Sequence, residues 1–463
     1  MRAATAKGMV MNPYDSFKAY DIRGELETQL TPDFAEQVGR AFTQYLGAKS
    51  VVVGGDIRLS TPELKAAFAR GCQALGAEVI DIGLCGTEEV YFATSALGVD
   101  GGCMVTASHN PINYNGMKLV RKDSRPISGA TGLQEIRALA EAGVGAGAHG
   151  GTLKSLDHSA PYIEHLLSYV NPGKLPAGTL LLNAGNGAAG PTVDRLEAAF
   201  QRAGSALRFE KMFNTPDGTF PNGIPNPLLH DQQPVTGQAV RKAGAEFGVA
   251  FDGDFDRCFF WDHEGTFIEG YYVVGMLAEA FLQQNPGARI VYDPRLTWNT
   301  EELVASLGGE ALPSQSGHAF IKETMRQKDA IYGGEMSAHH YFKSFAYCDS
   351  GMIPWLTVLD LLARKQTTLA ALVKERMARY PSPGEINSSV ADADETMARV
   401  RARYAPDAIA ESTLDGLSLA FDTWRFNLRK SNTEPVIRLN LETRGDAALM
   451  QAKTDELLAL IRS

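Results

Sequence analysis

Three aspartates alternate in Phe251-Asp-Gly-Asp-Phe-Asp-Arg257, directly after the apolar run Phe247-Gly-Val-Ala250. Carboxylates spaced by two on a bent loop can converge on one hard cation, and magnesium takes oxygen ligands while keeping positions for phosphate or water. Without a counter-charge Asp252, Asp254 and Asp256 would repel one another, so a cation is expected among them. The segment is not a calcium EF-hand, because Arg257 stands where that loop requires glycine and no glutamate closes it. An acidic surface loop has the same composition; the apolar strands on either side argue against it.

A second cluster, Thr106-Ala-Ser-His-Asn-Pro111 with Lys118 beyond it, follows the plausible strand Gly101-Gly-Cys-Met-Val105. Asn110-Pro111 turns the chain, which sets Ser108 on a loop just past a strand end, where open α/β sheets bind ligands. A serine hydroxyl is a weak nucleophile until a base or cation stands beside it, and His109 and Lys118 could serve. The same residues also fit a turn that merely satisfies its own backbone.

Two further clusters suit binding. Tyr332-Gly-Gly-Glu-Met-Ser-Ala-His-His-Tyr341 offers Glu335, Ser337 and a histidine after two glycines, donors and acceptors matched to the hydroxyls of a sugar. A helix start with satisfied polar residues reads the same way. Arg429-Lys-Ser-Asn-Thr-Glu434, with Arg438 on the next strand, combines guanidinium, short polar side chains and turn N–H groups into a nest for a phosphate ester. It lacks the glycine spacing of a P-loop and also fits a hairpin turn with an exposed arginine. Tyr20, Arg23, Arg295 and His318 are lesser candidates, each compatible with an ordinary ion pair or core hydrogen bond.

The elements that must hold these clusters can be read from hydropathy. Val51-Val-Val-Gly-Gly-Asp56, Leu180-Leu-Leu-Asn-Ala-Gly-Asn186 and Ile290-Val-Tyr-Asp-Pro-Arg295 are short unalternating apolar runs, as expected of strands covered on both faces. A helical pattern follows each; the clearest has Ser60 as predicted cap, then Leu64, Phe68, Cys72 and Leu75, and stops at Gly76. Strands alternating with helices argue for an α/β layered fold built three times, with no residue-level repeat behind it. The glycine-rich stretch Ala142 to Gly151 reads as a linker, and further seams fall at Gly265 to Ile268 and Tyr380 to Gly384. Beyond the last seam, alternating runs such as Leu417-Ser-Leu-Ala-Phe-Asp422 and a final helix from Asp446 to Ile461 predict an α+β unit with an antiparallel sheet.

The chain has 463 residues, 44% hydrophobic, with a formal net charge of −10 and no basic stripe, which excludes a general nucleic-acid or membrane-surface role. Its five cysteines form no CxxC pair and read as reduced thiols of a cytoplasmic protein. The N-terminal segment lacks the apolar core of a signal peptide, and no run reaches the roughly 20 apolar residues of a membrane span.

Taken in order, the Thr106–Pro111 segment, Asp252-Gly-Asp-Phe-Asp-Arg257, Gly334-Glu-Met-Ser337 and Arg429-Lys-Ser-Asn-Thr-Glu-Pro435 resemble the motif set of the α-D-phosphohexomutase superfamily, from about Phe17 to the C-terminus. Phe17-Lys-Ala-Tyr-Asp-Ile-Arg-Gly24, Gly86-Thr-Glu-Glu89, Gly265 to Tyr272 and Gly334 to Tyr341 are most similar to its bacterial phosphomannomutase branch. The resemblance implies three related α/β mixed-sheet domains and a C-terminal α+β domain around a central cleft, divided at 1–155, 156–265, 266–380 and 381–463. It implies that Ser108 carries a phosphoryl group and ligates Mg2+ with Asp252, Asp254 and Asp256, beside Arg257. Glu335, Ser337 and His318 would bind the sugar, and Tyr20, Arg23, Arg295, Arg429, Ser431, Asn432, Thr433 and Arg438 its phosphate. His109, His339 and Lys118 are the acid/base candidates.

The implied reaction interconverts a hexose 6-phosphate and 1-phosphate, mannose first, through a hexose 1,6-bisphosphate. The implied partner is a small sugar phosphate, with no nucleic acid or membrane, on a monomer or weak homo-oligomer. Ala338 stands where many dual-specificity members have glycine, Arg295 where some have lysine, and Pro225-Asn-Pro-Leu-Leu229 replaces a longer acidic stretch; these departures bear on sugar preference. A magnesium phosphatase with Asp252 as nucleophile would also explain the acidic loop, but leaves Ser108 and the Arg429 turn idle.

Overall fold

The structure is a computed structural model and describes residues 12–147, 150–430 and 436–463. Four sheets follow one another along the chain. In the first, Glu78–Leu84, Ser50–Gly55 and Gly101–Val105 run parallel, and Tyr114–Arg121 pairs antiparallel to the last of these. The second repeats this with Leu207–Met212, Gly178–Asn183 and Phe247–Phe251 parallel and Cys258–Asp262 antiparallel. The third does so again with Glu310–Pro313, Arg289–Tyr292 and Tyr332–Gly334 parallel and His340–Phe342 antiparallel. The fourth, Ile386–Ser389, Val436–Thr443, Trp424–Lys430, Leu417–Ala420 and Ala410–Ser412, is antiparallel throughout.

The predicted α/β class with a C-terminal α+β unit is therefore the architecture observed. The three apolar runs each supply the central parallel strand of a sheet, and Val51, Val52, Val53, Leu180, Leu182, Ile290 and Val291 are fully buried, as strands sandwiched between layers must be. The threefold α/β build is as expected; the residues did not show how each sheet closes. In each α/β sheet the parallel run ends in an antiparallel hairpin, and its turn holds one of the clusters: 106–113, 252–257 and 335–339. The third cluster is thus a hairpin turn and not a helix start.

Ser60 departs from expectation. The helix Thr61–Ala74 forms, but Ser60 makes no side-chain cap; its hydroxyl accepts from Asn115 Nδ2 at 2.8 Å instead. The final helix Ala447–Ile461 is capped as predicted, with Asp446 accepting from Leu449 N–H. One hydrophobic core runs unbroken through the second and third sheets, including Leu180, Phe247, Phe260, Tyr332 and Trp355. The fourth sheet keeps its own core around Val400, Phe426, Leu439 and Leu457. It meets the third through polar groups: buried Arg425 pairs with Glu442 at 2.8 Å and donates to the carbonyls of Pro294 and Arg295. No helix among the described residues is long and apolar enough to cross a membrane.

Candidate active site

The turn of the first hairpin is held from below. Asp56, at the end of the central strand, accepts from Thr106 Oγ1 and Thr61 Oγ1, each at 2.7 Å, and Thr106 Oγ1 in turn accepts from Ser108 N–H at 2.8 Å. The guanidinium of Arg58, fully buried, donates to the carbonyls of Ser108, Asn110, Pro111 and Tyr114. Phe220 of the second unit stacks over it at 5.7 Å. Five donors in a rigid fork suit one group to gather several carbonyls. Ser108 is thereby fixed at φ +49°, a left-handed conformation costly for a non-glycine residue and characteristic of functional turns.

Ser108 meets the aspartate turn directly. Its hydroxyl donates to Asp252 Oδ2 at 2.9 Å and lies 3.2 Å from His109 Nδ1. Gly253 permits the approach, since a Cβ there would stand 2.7 Å from the Ser108 carbonyl oxygen. Arg257 Nε and Nη2 both reach Asp252 Oδ2 at 2.9 Å, and Lys118 Nζ bridges Asp254 at 2.7 Å and Asp256 at 2.5 Å. Burial pushes the Asp252 carboxyl up to about 7 against the pull of Arg257; Asp256, buried too, is held down to about 2, chiefly by Lys118.

The aspartates fit a divalent cation. One oxygen from each lies within 4.8 Å of the others, and Asp254 Oδ1 and Asp256 Oδ1 are buried without a hydrogen-bond donor. Two orphaned carboxylate oxygens beside a third carboxylate are the donor set a hard cation requires, and leaving them unmet is costly. Asp256, His339 and Asp349 form a second close set, but the buried Lys322 ammonium already pairs with Asp349 at 2.6 Å and repels a cation there.

The geometry separates the acid/base candidates. His109 Nδ1 accepts from Arg257 Nη2 at 2.6 Å, and burial with that guanidinium holds its pKa well below the usual range, so the ring is neutral with Nδ1 occupied. Lys118, although burial opposes it, is kept protonated by Asp254 and Asp256. His339 sits 3.9 Å from Asp256 Oδ1 and 3.4 Å from Ser337 Oγ, lowered mainly by burial and still partly reachable from solvent.

In the third turn, Glu335 accepts from Gly317 N–H at 2.8 Å and Tyr341 O–H at 2.5 Å. Ala338 adopts φ +70°, the left-handed region that glycine occupies freely, so the departure noted at this position carries backbone strain. His318 opens the helix His318–Lys328, its Nδ1 is buried without a partner, and its ring meets Tyr20 edge-on at 5.2 Å. Tyr20 is raised first by burial and then by Glu335 and Asp415, and its ring contacts with His318 and Phe320 tie the first unit to the third.

Arg429 and Arg438 are cross-strand partners in the last sheet. They and Arg295 lie 3.5, 3.3 and 3.4 Å from the single carboxylate of Glu385. Arg295 is also locked on Asp293 at 2.9 and 3.0 Å. Burial first and then Arg295 lower Arg429, against the opposing pull of Glu385 and of Asp415, which lies 3.7 Å from it. Ser431, Asn432 and Thr433 lie outside the described residues. Arg23 pairs with Asp21 at 2.9 Å and interacts electrostatically with Asp254 and Asp256. Sequence reasoning missed Asp56, Arg58, Asp293 and Glu385; only their charge at strand ends and beside the last seam could have signalled them.

The histidines give this region a pH dependence. His109, His318, His339 and His340 are all lowered, burial first, with His318 and His340 down to about 3. Below the unfolded value of about 6.5 the unfolded chain takes up the proton first, so stability present above that pH is lost as pH falls toward the folded values. Each such histidine contributes a slope of about 1.4 kcal/mol per pH unit. Asp252 and Glu88, both raised by burial, act in the opposite direction over this range, so the histidine share is expected as a difference: urea melts between pH 6.5 and 4.5 should lose less stability in His340→Gln than in the parent protein, by one histidine's slope.

The chain matches the phosphoglucomutase/phosphomannomutase family segment by segment: alpha/beta/alpha domain I over residues 15–144, domain II over 160–265, domain III over 269–380 and the C-terminal domain over 385–459. A phosphomannomutase from Salmonella montevideo is 57% identical over 457 residues, covering 98% of this chain and 100% of its own length. One from Vibrio cholerae serotype O1 is 52% identical over 459 residues, covering 98% and 99%. Among solved structures, a phosphoglucomutase/phosphomannomutase family protein from Burkholderia thailandensis superposes with a TM-score of 0.85 at 33% identity, covering 98% of each chain. With the family's four domains matched in order and relatives more than half identical across nearly the whole chain, this protein belongs to the phosphoglucomutase/phosphomannomutase family of phosphohexomutases and is by class an isomerase.

Proposed function

We propose that the protein is a phosphomannomutase: it interconverts mannose 6-phosphate and mannose 1-phosphate through phospho-Ser108 and a hexose 1,6-bisphosphate, and supplies mannose 1-phosphate for GDP-mannose and polysaccharide synthesis. The observation that carries this is Ser108 itself, strained and 2.9 Å from Asp252, whose neighbours Asp254 and Asp256 each bury a carboxylate oxygen without a hydrogen-bond donor. The names of the relatives supply the sugar. In this reading Ser108, Asp252, Asp254 and Asp256 hold Mg2+, whose bound charge offsets that of the phosphoryl group in flight.

The chain's own groups do the rest. The P–Oγ bond of phospho-Ser108 breaks as a P–O bond forms to the sugar hydroxyl; that hydroxyl's proton passes to His339, whose ring is neutral and partly open, and the departing Ser108 Oγ takes a proton from the Lys118 ammonium. Lys118 and Arg257 balance the charge. The arginines around Glu385, with Ser431, Asn432 and Thr433, grip the phosphate that stays on the sugar, while Glu335, Ser337 and His318 take its hydroxyls. After reorientation the bisphosphate returns its other phosphoryl group to Ser108. A last domain with a core of its own suits a clamp that must release and regrip, and the division at 155, 265 and 380 belongs to this reading. Five buried free thiols agree with a cytoplasmic location.

Initial rates with mannose 1-phosphate and glucose 1-phosphate test the assignment. The expected result is a higher kcat/KM for the mannose ester; equal values identify a dual-specificity mutase, and phosphate release without isomerisation points to a phosphatase. Arg429→Met is expected to raise KM for either ester about 10- to 100-fold, the cost of a charge-assisted hydrogen bond of roughly 1.5–3 kcal/mol, with less effect on kcat.

A further inference from the structure

The turn Gly86 to Glu89 touches all three α/β units although no role has been assigned to it. Gly86 packs so closely on Phe255 that a Cβ would lie 2.3 Å from the ring. Thr87 N–H donates to the Asp254 carbonyl at 3.0 Å, and Thr87 Oγ1 donates to Asp254 Oδ2 at 2.6 Å. Glu88, wholly buried, accepts from Tyr162 O–H at 2.5 Å, Ser350 Oγ at 2.8 Å and the N–H groups of Gly351 and Met352 at 2.6 and 3.1 Å. The turn is thereby pinned to the second and third units at once.

Asp254 bears the consequence. Its Oδ2 receives both Thr87 Oγ1 and Lys118 Nζ, while its Oδ1 is buried and receives nothing. Two donors on one oxygen fix the carboxylate plane and leave the other oxygen available to a cation. The helix Thr87–Ala96 does not itself call for this hydroxyl, because Thr87 is the first helical residue and the cap position belongs to Gly86.

We propose that Thr87 is a positioning residue for the metal site: its hydroxyl, anchored through Glu88 to the second and third units, orients Asp254 so that Oδ1 is presented to Mg2+. The inference rests on the reading that Asp254 holds that ion. Calorimetric titration of MgCl2 into the full-length, EDTA-treated protein tests it, with thermal melts as the control for folding. Thr87→Val and Thr87→Ala, which lack the hydroxyl, are expected to bind Mg2+ about 10- to 100-fold more weakly, the usual cost of losing a group that orients a metal ligand. Thr87→Ser, which keeps it, is expected to stay close to the parent protein. Unchanged affinity in folded Val or Ala variants overturns the proposal, as does an equal loss in the Ser variant. If the parent protein takes up no Mg2+, the metal reading itself fails and the positioning role with it.

Discussion

Ser108→Ala is expected to bring isomerisation to background, a fall of about 10^4- to 10^6-fold of the size seen when a covalent nucleophile is removed. The fold should survive, because the loop is held by Arg58 and Thr106 and not by the Ser108 hydroxyl. Asp252 keeps Arg257 when the hydroxyl goes, so no buried charge is stranded. A coupled assay for hexose 6-phosphate formation checks the rate, and a thermal melt checks the fold. The outcome also separates the competing chemistry: were Asp252 the nucleophile of a phosphatase, the alanine variant would still release phosphate.

The second large effect is expected at Arg58. Arg58→Met removes a guanidinium with 1% side-chain exposure and leaves Asp56 and four loop carbonyls without it. Breaking a buried pair by removing one partner costs about 3–5 kcal/mol, most of it from the charge left behind. Urea denaturation should show a loss of that size. Asp56→Asn added to it should recover part of the stability, since the stranded charge is gone, but not the activity, since nothing then gathers the loop beneath Ser108. An activity near that of the parent protein would mean the loop holds its own conformation.

These two residues mark where the sequence was readable. Ser108 and the aspartates announce themselves because their chemistry is local: three carboxylates two residues apart carry their own electrostatic argument, and Asn110-Pro111 forces the turn. Arg58 lies just before a predicted helix start and Thr87 in a motif noted only for its resemblance, and what gives each its meaning is a partner about 50 or 170 residues away. The Ser60 cap failed for a related reason, since Asn115 from the neighbouring strand claims the hydroxyl. The Glu335 cluster was read by composition, but its hairpin geometry depends on strand pairing that no short segment encodes. The threefold α/β build was legible in the alternation of strands and helices, but the antiparallel hairpin that closes each sheet was not, because it is built each time from different residues.

In the proposed function, Ser108 relays a phosphoryl group to and from the sugar. The most direct measurement loads Ser108 with a radiolabelled phosphoryl group from labelled hexose 1,6-bisphosphate, removes the excess, and mixes the protein with unlabelled mannose 6-phosphate for a single turnover. The account predicts that label leaves the protein for the bisphosphate and then for hexose phosphate, while the protein regains an unlabelled phosphoryl group on Ser108. Label that stays on the protein through turnover, or that appears only as inorganic phosphate, would contradict it.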